Sequence, residues 1–171
     1  MDSSFCKILV AVADDKAFLK LIGRANFSQS VDFKKVMTGL IDKGFKSFYL
    51  DLTDCTTMDS TFLGVLARIV IRIAGTSEPA KATNKVVLLN PNKRIVDLID
   101  SLGIMGLFNV SSDIPTQQEV NFKESSPTPV TKKELTETAL QAHNTLIELN
   151  PSNLAKFKDV TKFLEEDLKN L

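Results

Sequence analysis

The chain has 171 residues, 43% of them hydrophobic and 25% charged, enough for one well-buried core plus an appendage but not for two average domains. Its 21 basic and 21 acidic residues cancel, which argues against the clustered Lys and Arg of a nucleic-acid surface. One His and two Cys leave metal-site and Ser-His-Asp readings without partners, and no cofactor motif stands out.

Lys7–Ala13 and Ala17–Ile22 read as two strands around a turn at Asp14, Asp15 and Lys16. Ser28 or Ser30 is placed to cap a helix in which Val31, Phe33, Val36, Met37, Leu40 and Ile41 recur at helical spacing, with Gly44 at its exit. A strand over Ser47–Leu52 follows, and Leu63–Ile73 is apolar over about three helical turns. Gly75–Asn84 has the composition of a surface loop, and Lys85–Leu89 is a short apolar strand of the kind buried on both faces. Ile95, Val96, Leu98, Ile99 and Leu102 line one side of a helix ending at Gly103, and Leu107–Val110 is a last, weak strand.

Strands alternating with helices predict an α/β fold, a mixed β-sheet with α-helices packed on it, over residues 1–112. The spacing alone would also suit a small flavodoxin-like domain, but no Gly-rich loop follows the first strand. Residues 113–130, with Pro115, Pro127 and Pro129, read as a linker or extended strap. Residues 131–171 read as a helical hairpin extension. Thr131 and Glu134 have capping-box spacing, and Leu135, Ala139, Ala142, Leu146 and Leu149 form an apolar stripe. Ser152 is a candidate cap for a second helix whose Leu154, Phe157, Val160, Phe163, Leu164 and Leu168 face one way. Both stripes require burial, either as a cap over the domain or, alternatively, in a homodimer through the C-terminal helices. His143, on the first tail helix, is read as a partly exposed helix residue.

Between the strand at Ser47 and the apolar helix stands Met58-Asp59-Ser60-Thr61, with Leu63-Gly64 close behind. This segment resembles the signature of the STAS domain, shared by bacterial anti-sigma-factor antagonists and the cytoplasmic tails of sulfate transporters, and the resemblance covers about Lys7 to Val110. It implies the mixed-sheet fold and, for this chain, a non-enzymatic interaction switch of the anti-sigma-factor-antagonist type whose partner is an anti-sigma factor or serine kinase. It also implies phosphorylation at Ser60, with Thr61 as second choice. Asp51, Asp59, Ser60, Thr61 and Phe62 are the expected partner-binding residues. Phe62 stands where the family has Gly, and is expected to narrow kinase access or supply a partner contact. Asn26 is the residue nearest an acid that phosphorylated antagonists carry after the second strand.

A hydroxyl at a helix start is by itself an ordinary cap, and only the resemblance favours a switch. Gly64 inside a helix costs about 1 kcal/mol against Ala, so a close packing neighbour is expected there. Arg68 and Arg72 read as a solvated face. No apolar run reaches membrane-spanning length, and the opening residues lack a basic, then apolar leader, so no membrane insertion and a cytoplasmic setting are expected. Cys6 and Cys55 are read as reduced thiols.

Overall fold

A computed structural model describes residues 6–75, 85–113 and 121–171. The strands are β1 (Lys7–Ala13), β2 (Lys16–Ala25), β3 (Ser47–Asp51), β4 (Cys55–Met58), β5 (Val86–Leu89), β6 (Asn109–Ser111) and β7 (Lys123–Glu124). The helices are α1 (Phe27–Asp42), α2 (Ser60–Ala74), α3 (Lys93–Ser101), α4 (Lys132–Leu149) and α5 (Leu154–Lys169), with short 3-10 turns at Met105–Leu107 and Pro151–Asn153.

The sheet runs β6-β5-β3-β2-β1-β7, with β4 pairing to β2 off this path. β1 and β2 form an antiparallel hairpin in which Ala13 faces Lys16, so the loop is Asp14 and Asp15, and Asp14 takes a left-handed φ of 57°. β7 joins the outer edge of β1 antiparallel, Leu9 facing Glu124 and Val10 facing Lys123. The β2–β3, β3–β5, β5–β6 and β2–β4 pairings are parallel. The sheet is therefore mixed, as the alternation of strands and helices predicts. β4 has no counterpart among the predicted strands, since Thr56 and Thr57 interrupt the apolar pattern that makes the equally short β5 legible. The surface loop expected over 75–84 lies outside the described residues from Ser77 onward, as does its Thr76.

Leu19, Leu21, Phe48, Leu50 and Leu88 from the sheet meet Phe33 and Met37 of α1 and Phe62, Leu63, Leu66 and Val70 of α2 in one core. Burying each such side chain contributes about 1.5–3 kcal/mol, so this cluster dominates the fold's stability. α2 is buried continuously from Thr61 to Ala67, because the first tail helix, α4, covers the face that a two-layer arrangement leaves to solvent.

The tail thus caps its own domain. α4 starts with the expected capping box: Thr131 Oγ1 accepts from Glu134 N while a Glu134 carboxylate oxygen accepts from Thr131 N. The second stripe divides. Phe157 packs on the His143 ring and Leu164 and Leu168 are half-buried, whereas Leu154, Val160 and Phe163 face solvent, Phe163 being 66% exposed. The caps expected for α1 and α5 fall elsewhere: Asn26, not Ser28 or Ser30, caps α1, and the residue before α5 is Asn153 rather than Ser152. Asn153 is fully buried and ties Leu102 O to Leu146 O through its amide, at 2.9 and 2.8 Å.

Candidate functional site

β4 ends at Met58, and the chain turns at Asp59, whose extended backbone and carboxylate set the start of α2. Asp59 serves two helices. Oδ1 accepts from Phe62 N at 2.8 Å inside the first turn of α2, and Oδ2 accepts from Phe27 N at 2.8 Å at the first residue of α1. One carboxylate therefore satisfies free N–H groups at two helix N-termini and sits at the positive end of both. Burial pushes its pKa up, against the pull of the Phe62 and Phe27 N–H groups and the neighbouring His143. Asp59→Ala is expected to cost about 2 kcal/mol. Asp59→Asn, which keeps one acceptor but aims amide hydrogens at the other N–H, is expected to cost about half that. Urea midpoints of the two variants against the parent check both.

Ser60 is the first residue of α2 and is half-buried. Its Oγ lies 2.9 Å from His143 Nε2, across 83 positions of sequence. The other ring nitrogen, Nδ1, lies 2.7 Å from Ala139 O. A carbonyl only accepts, so Nδ1 carries the proton, the neutral ring presents a lone pair at Nε2, and the Ser60 hydroxyl donates to it. Burial is the main reason the imidazole stays below its ordinary pKa, with the Ala139 carbonyl and the Asp59 carboxylate pulling the other way. His143 is 4% exposed, which corrects its reading as a partly exposed helix residue.

The remaining candidates separate. Thr61 is 6% exposed, beneath Ser60 at the start of the helix. Phe62 is fully buried with its ring 4.6 Å from that of Phe33, so the expectation that it lines the access path or touches a partner is corrected: it fills the core between α1 and α2. Asp51 ends β3 and accepts from the backbone N–H and hydroxyl of Thr53, an Asx turn at the strand's end. Asn26 accepts from Ser28 N at 2.9 Å, a helix cap. Gly64 lies against α4: a Cβ there would stand 2.6 Å from Ala142 Cβ and run into the Ala142 carbonyl.

Arg72 pairs with Asp42 at 2.9 Å in the open, and Arg68 is exposed on the same helix. Cys6 and Cys55 are both free, and burial raises their thiols to about 12 and about 11, so neither is a ready thiolate. Among the described residues no group of His, Cys, Asp and Glu is arranged to hold a metal ion, and no helix is long and apolar enough to cross a membrane.

Ser60 is thus a hydroxyl with a positioned acceptor, fixed at the mouth of a central helix. His143 was not foreseeable as its partner, because that pairing depends on where the tail docks.

The Thermotoga maritima protein TM1081 superposes with a TM-score of 0.50 and 22% identity, over 61% of this chain and 86% of that one. The anti-sigma factor antagonist SpoIIAA of Bacillus, in its unphosphorylated form, gives 0.50 at 15% identity, over 62% of this chain and 89% of its own. Identities this low speak to the fold alone. No curated protein matches the chain. The sequence model of the STAS domain, however, matches residues 7–121, from the first residue of β1 to the strap. Most of the chain lies within that match, and its mixed sheet follows the SpoIIAA fold, so the chain belongs to the STAS domain family.

Proposed function

We propose that the chain is a non-enzymatic interaction switch of the anti-sigma-factor-antagonist type, which binds a kinase-type anti-sigma factor and is released when Ser60 is phosphorylated. The observation that carries this reading is the position of Ser60: first residue of α2, half-buried rather than sealed, beside a helix N-terminus that tolerates negative charge. Phosphate there adds about −1.5 to −2 charge, and an acidic or apolar partner surface docked over it would lose about 1–3 kcal/mol, a tenfold or greater fall in affinity. Thr61 ranks behind Ser60 as acceptor because it is buried. The proposed setting is the cytoplasm, where such kinases act.

Incubation with ATP and candidate serine kinases, followed by intact-mass measurement, is expected to show one added phosphoryl group that Ser60→Ala abolishes. A chain that stays unmodified with every kinase able to bind it would refute the switch.

A second reading, a constitutive adaptor subunit such as those of lipid-transport ATPases, is favoured by one observation: the Ser60 hydroxyl is already engaged by His143. Partner affinities left unchanged by both Ser60→Ala and Ser60→Asp would select it. In either case α4 spends its apolar stripe within the domain, so a homodimer through the tail would rest on the exposed side chains of α5.

A further inference from the structure

The face of α2 that carries Ser60 and Gly64 is covered by the chain's own α4, and the way it is covered is unlike a permanent core seam. The buried side chains of α4 are Thr136, Thr138, Ala139, Ala142, His143, Thr145 and Leu146. Only Leu146 is a large aliphatic. Thr136 and Thr145 direct their hydroxyls to carbonyls of α4 itself, Lys132 O and Gln141 O, so lifting the helix off strands neither. Beyond Leu146 the apolar cover of the hairpin comes from two alanines and from the half-buried Leu135, Leu140, Ile147, Leu149 and Phe157. Small, Thr-rich and half-buried side chains hold less tightly than the fully buried Leu and Phe of the sheet core, so the hairpin can open while the sheet stays folded.

The other ties are of the same kind. Lys34 Nζ to Gln141 Oε1 at 3.3 Å, Lys35 to Glu134 at 3.6 Å and Thr128 N to Asp32 at 3.3 Å are exposed contacts, which solvent screens and weakens. A cleft of about 560 Å³ remains between α1, α2 and α4, bordered by Lys34, Arg68, Gln141 and Glu148, so water already reaches part of the interface. At the foot of the hairpin the hold is firmer, where Asn150 and Asn153 both donate to Leu102 O and Lys156 donates to Ser101 O.

We propose that the α4–α5 hairpin is an intramolecular lid over the Ser60 face of α2, latched by the Ser60–His143 hydrogen bond, which a macromolecule must displace to dock across that whole face. Closed, the lid engages the Ser60 proton and places Ala142 on Gly64. Open, it exposes the start of α2, the notch at Gly64 and the basic side chains Lys34 and Arg68 as one surface. Phosphate on Ser60 would set an anion against a nitrogen that can only accept while His143 is neutral, so the modified chain favours the open lid. The inference rests on Ser60 being the regulated group.

Amide hydrogen exchange of the full chain tests it without any partner. At about pH 8, where an imidazole of lowered pKa is neutral, the amides of α4 and α5 are expected to exchange as one unit, at least about tenfold faster than those of β2 and β3. Ser60→Ala, which removes the latch alone, is expected to speed hairpin exchange about fivefold. Ser60→Asp is expected to speed it by about tenfold or more, with sheet protection unchanged. Hairpin amides as protected as β2 and β3 in the parent chain overturn the lid, and so do variants whose hairpin exchanges no faster. The kinase assay decides separately: a hairpin that opens while no phosphate is ever found on Ser60 ends the switch and leaves the lid standing.

Discussion

Gly64→Ala is expected to destabilise the protein by about 2 kcal/mol, although the same change in an exposed helix would stabilise by about 1 kcal/mol through helix propensity. The sign is decided by what the new methyl group meets. Gly64 faces Ala142 of α4, and the added Cβ would lie 2.6 Å from Ala142 Cβ, closer than carbon atoms approach, while also running into the Ala142 carbonyl. A flexible side chain could swing aside at small cost. Backbone cannot, so α4 must translate as a body, and overpacking of this kind costs about 1–3 kcal/mol, occasionally more. With the obstacle on a helix backbone the upper end applies, about 3 kcal/mol, and subtracting the propensity gain leaves about 2. For a chain of this size that is a fall in melting temperature of about 4–8 °C. Ala142→Gly on top of it removes one methyl but not the carbonyl, so the double variant is expected to recover only part of the loss. A Gly64→Ala chain at least as stable as the parent, measured by thermal and urea unfolding, would mean that α4 does not rest on α2 as the coordinates place it.

What could be read from the chain and what could not follows from the range of the interactions. Alternating strands and helices, a turn after Ala13, the Thr131–Glu134 capping box and the close neighbour demanded by Gly64 are local or compositional, and a linear pattern carries them, though the turn is one residue shorter than the expected Asp14, Asp15 and Lys16. The place of Ser60 at a helix start was legible from the Met58-Asp59-Ser60-Thr61 run ahead of an apolar helix, and Asp59 supplies the cap within the same turn. The other half of the site was not. His143 reaches Ser60 from 83 positions away, and Asp59 reaches Phe27 from 32, both through docking of elements that periodicity treats as independent. Phe62 misled for a similar reason. Near a surface hydroxyl it looked like a rim residue, but two positions along a helix turn the side chain by about 200°, which delivers its ring to Phe33 in the core. The outward-facing Leu154, Val160 and Phe163 show the converse. Six apolar positions exceed what a helix docked on a single neighbour can bury, and the stripe predicted the helix without telling which of its residues would be covered.

Acidification is expected to weaken the fold through one imidazole, and the composition makes the test unusually clean, since His143 is the only histidine in the chain. In the folded state burial holds its pKa below the ordinary value, while in the unfolded chain it titrates near 6.5. Between the lowered folded value and about 6.5 the unfolded state binds more protons than the native state, so stability rises with pH across that window. Its contribution is therefore complete above the unfolded pKa and is lost as pH falls, with a slope that cannot exceed about 1.4 kcal/mol per pH unit for a single site. Protonation need not break the contact with Ser60, because the hydroxyl can turn a lone pair toward a protonated Nε2. What it costs is a positive charge held under α4, only partly offset by the Ala139 carbonyl and the Asp59 carboxylate. Asp59 works in the opposite sense: its folded pKa is raised, so the native state takes up its proton first and acid favours that protonated form. The two effects are separated by His143→Gln, whose amide can still meet Ser60 but does not titrate. From pH 7.5 to about 6.5 the parent chain is expected to hold its stability in urea unfolding, and from about 6.5 to 5.5 to lose it, with the Gln variant losing markedly less. Parallel pH profiles for the two chains would show that the ring of His143 carries its proton as readily inside the protein as outside it, which the packing of α4 on α2 forbids.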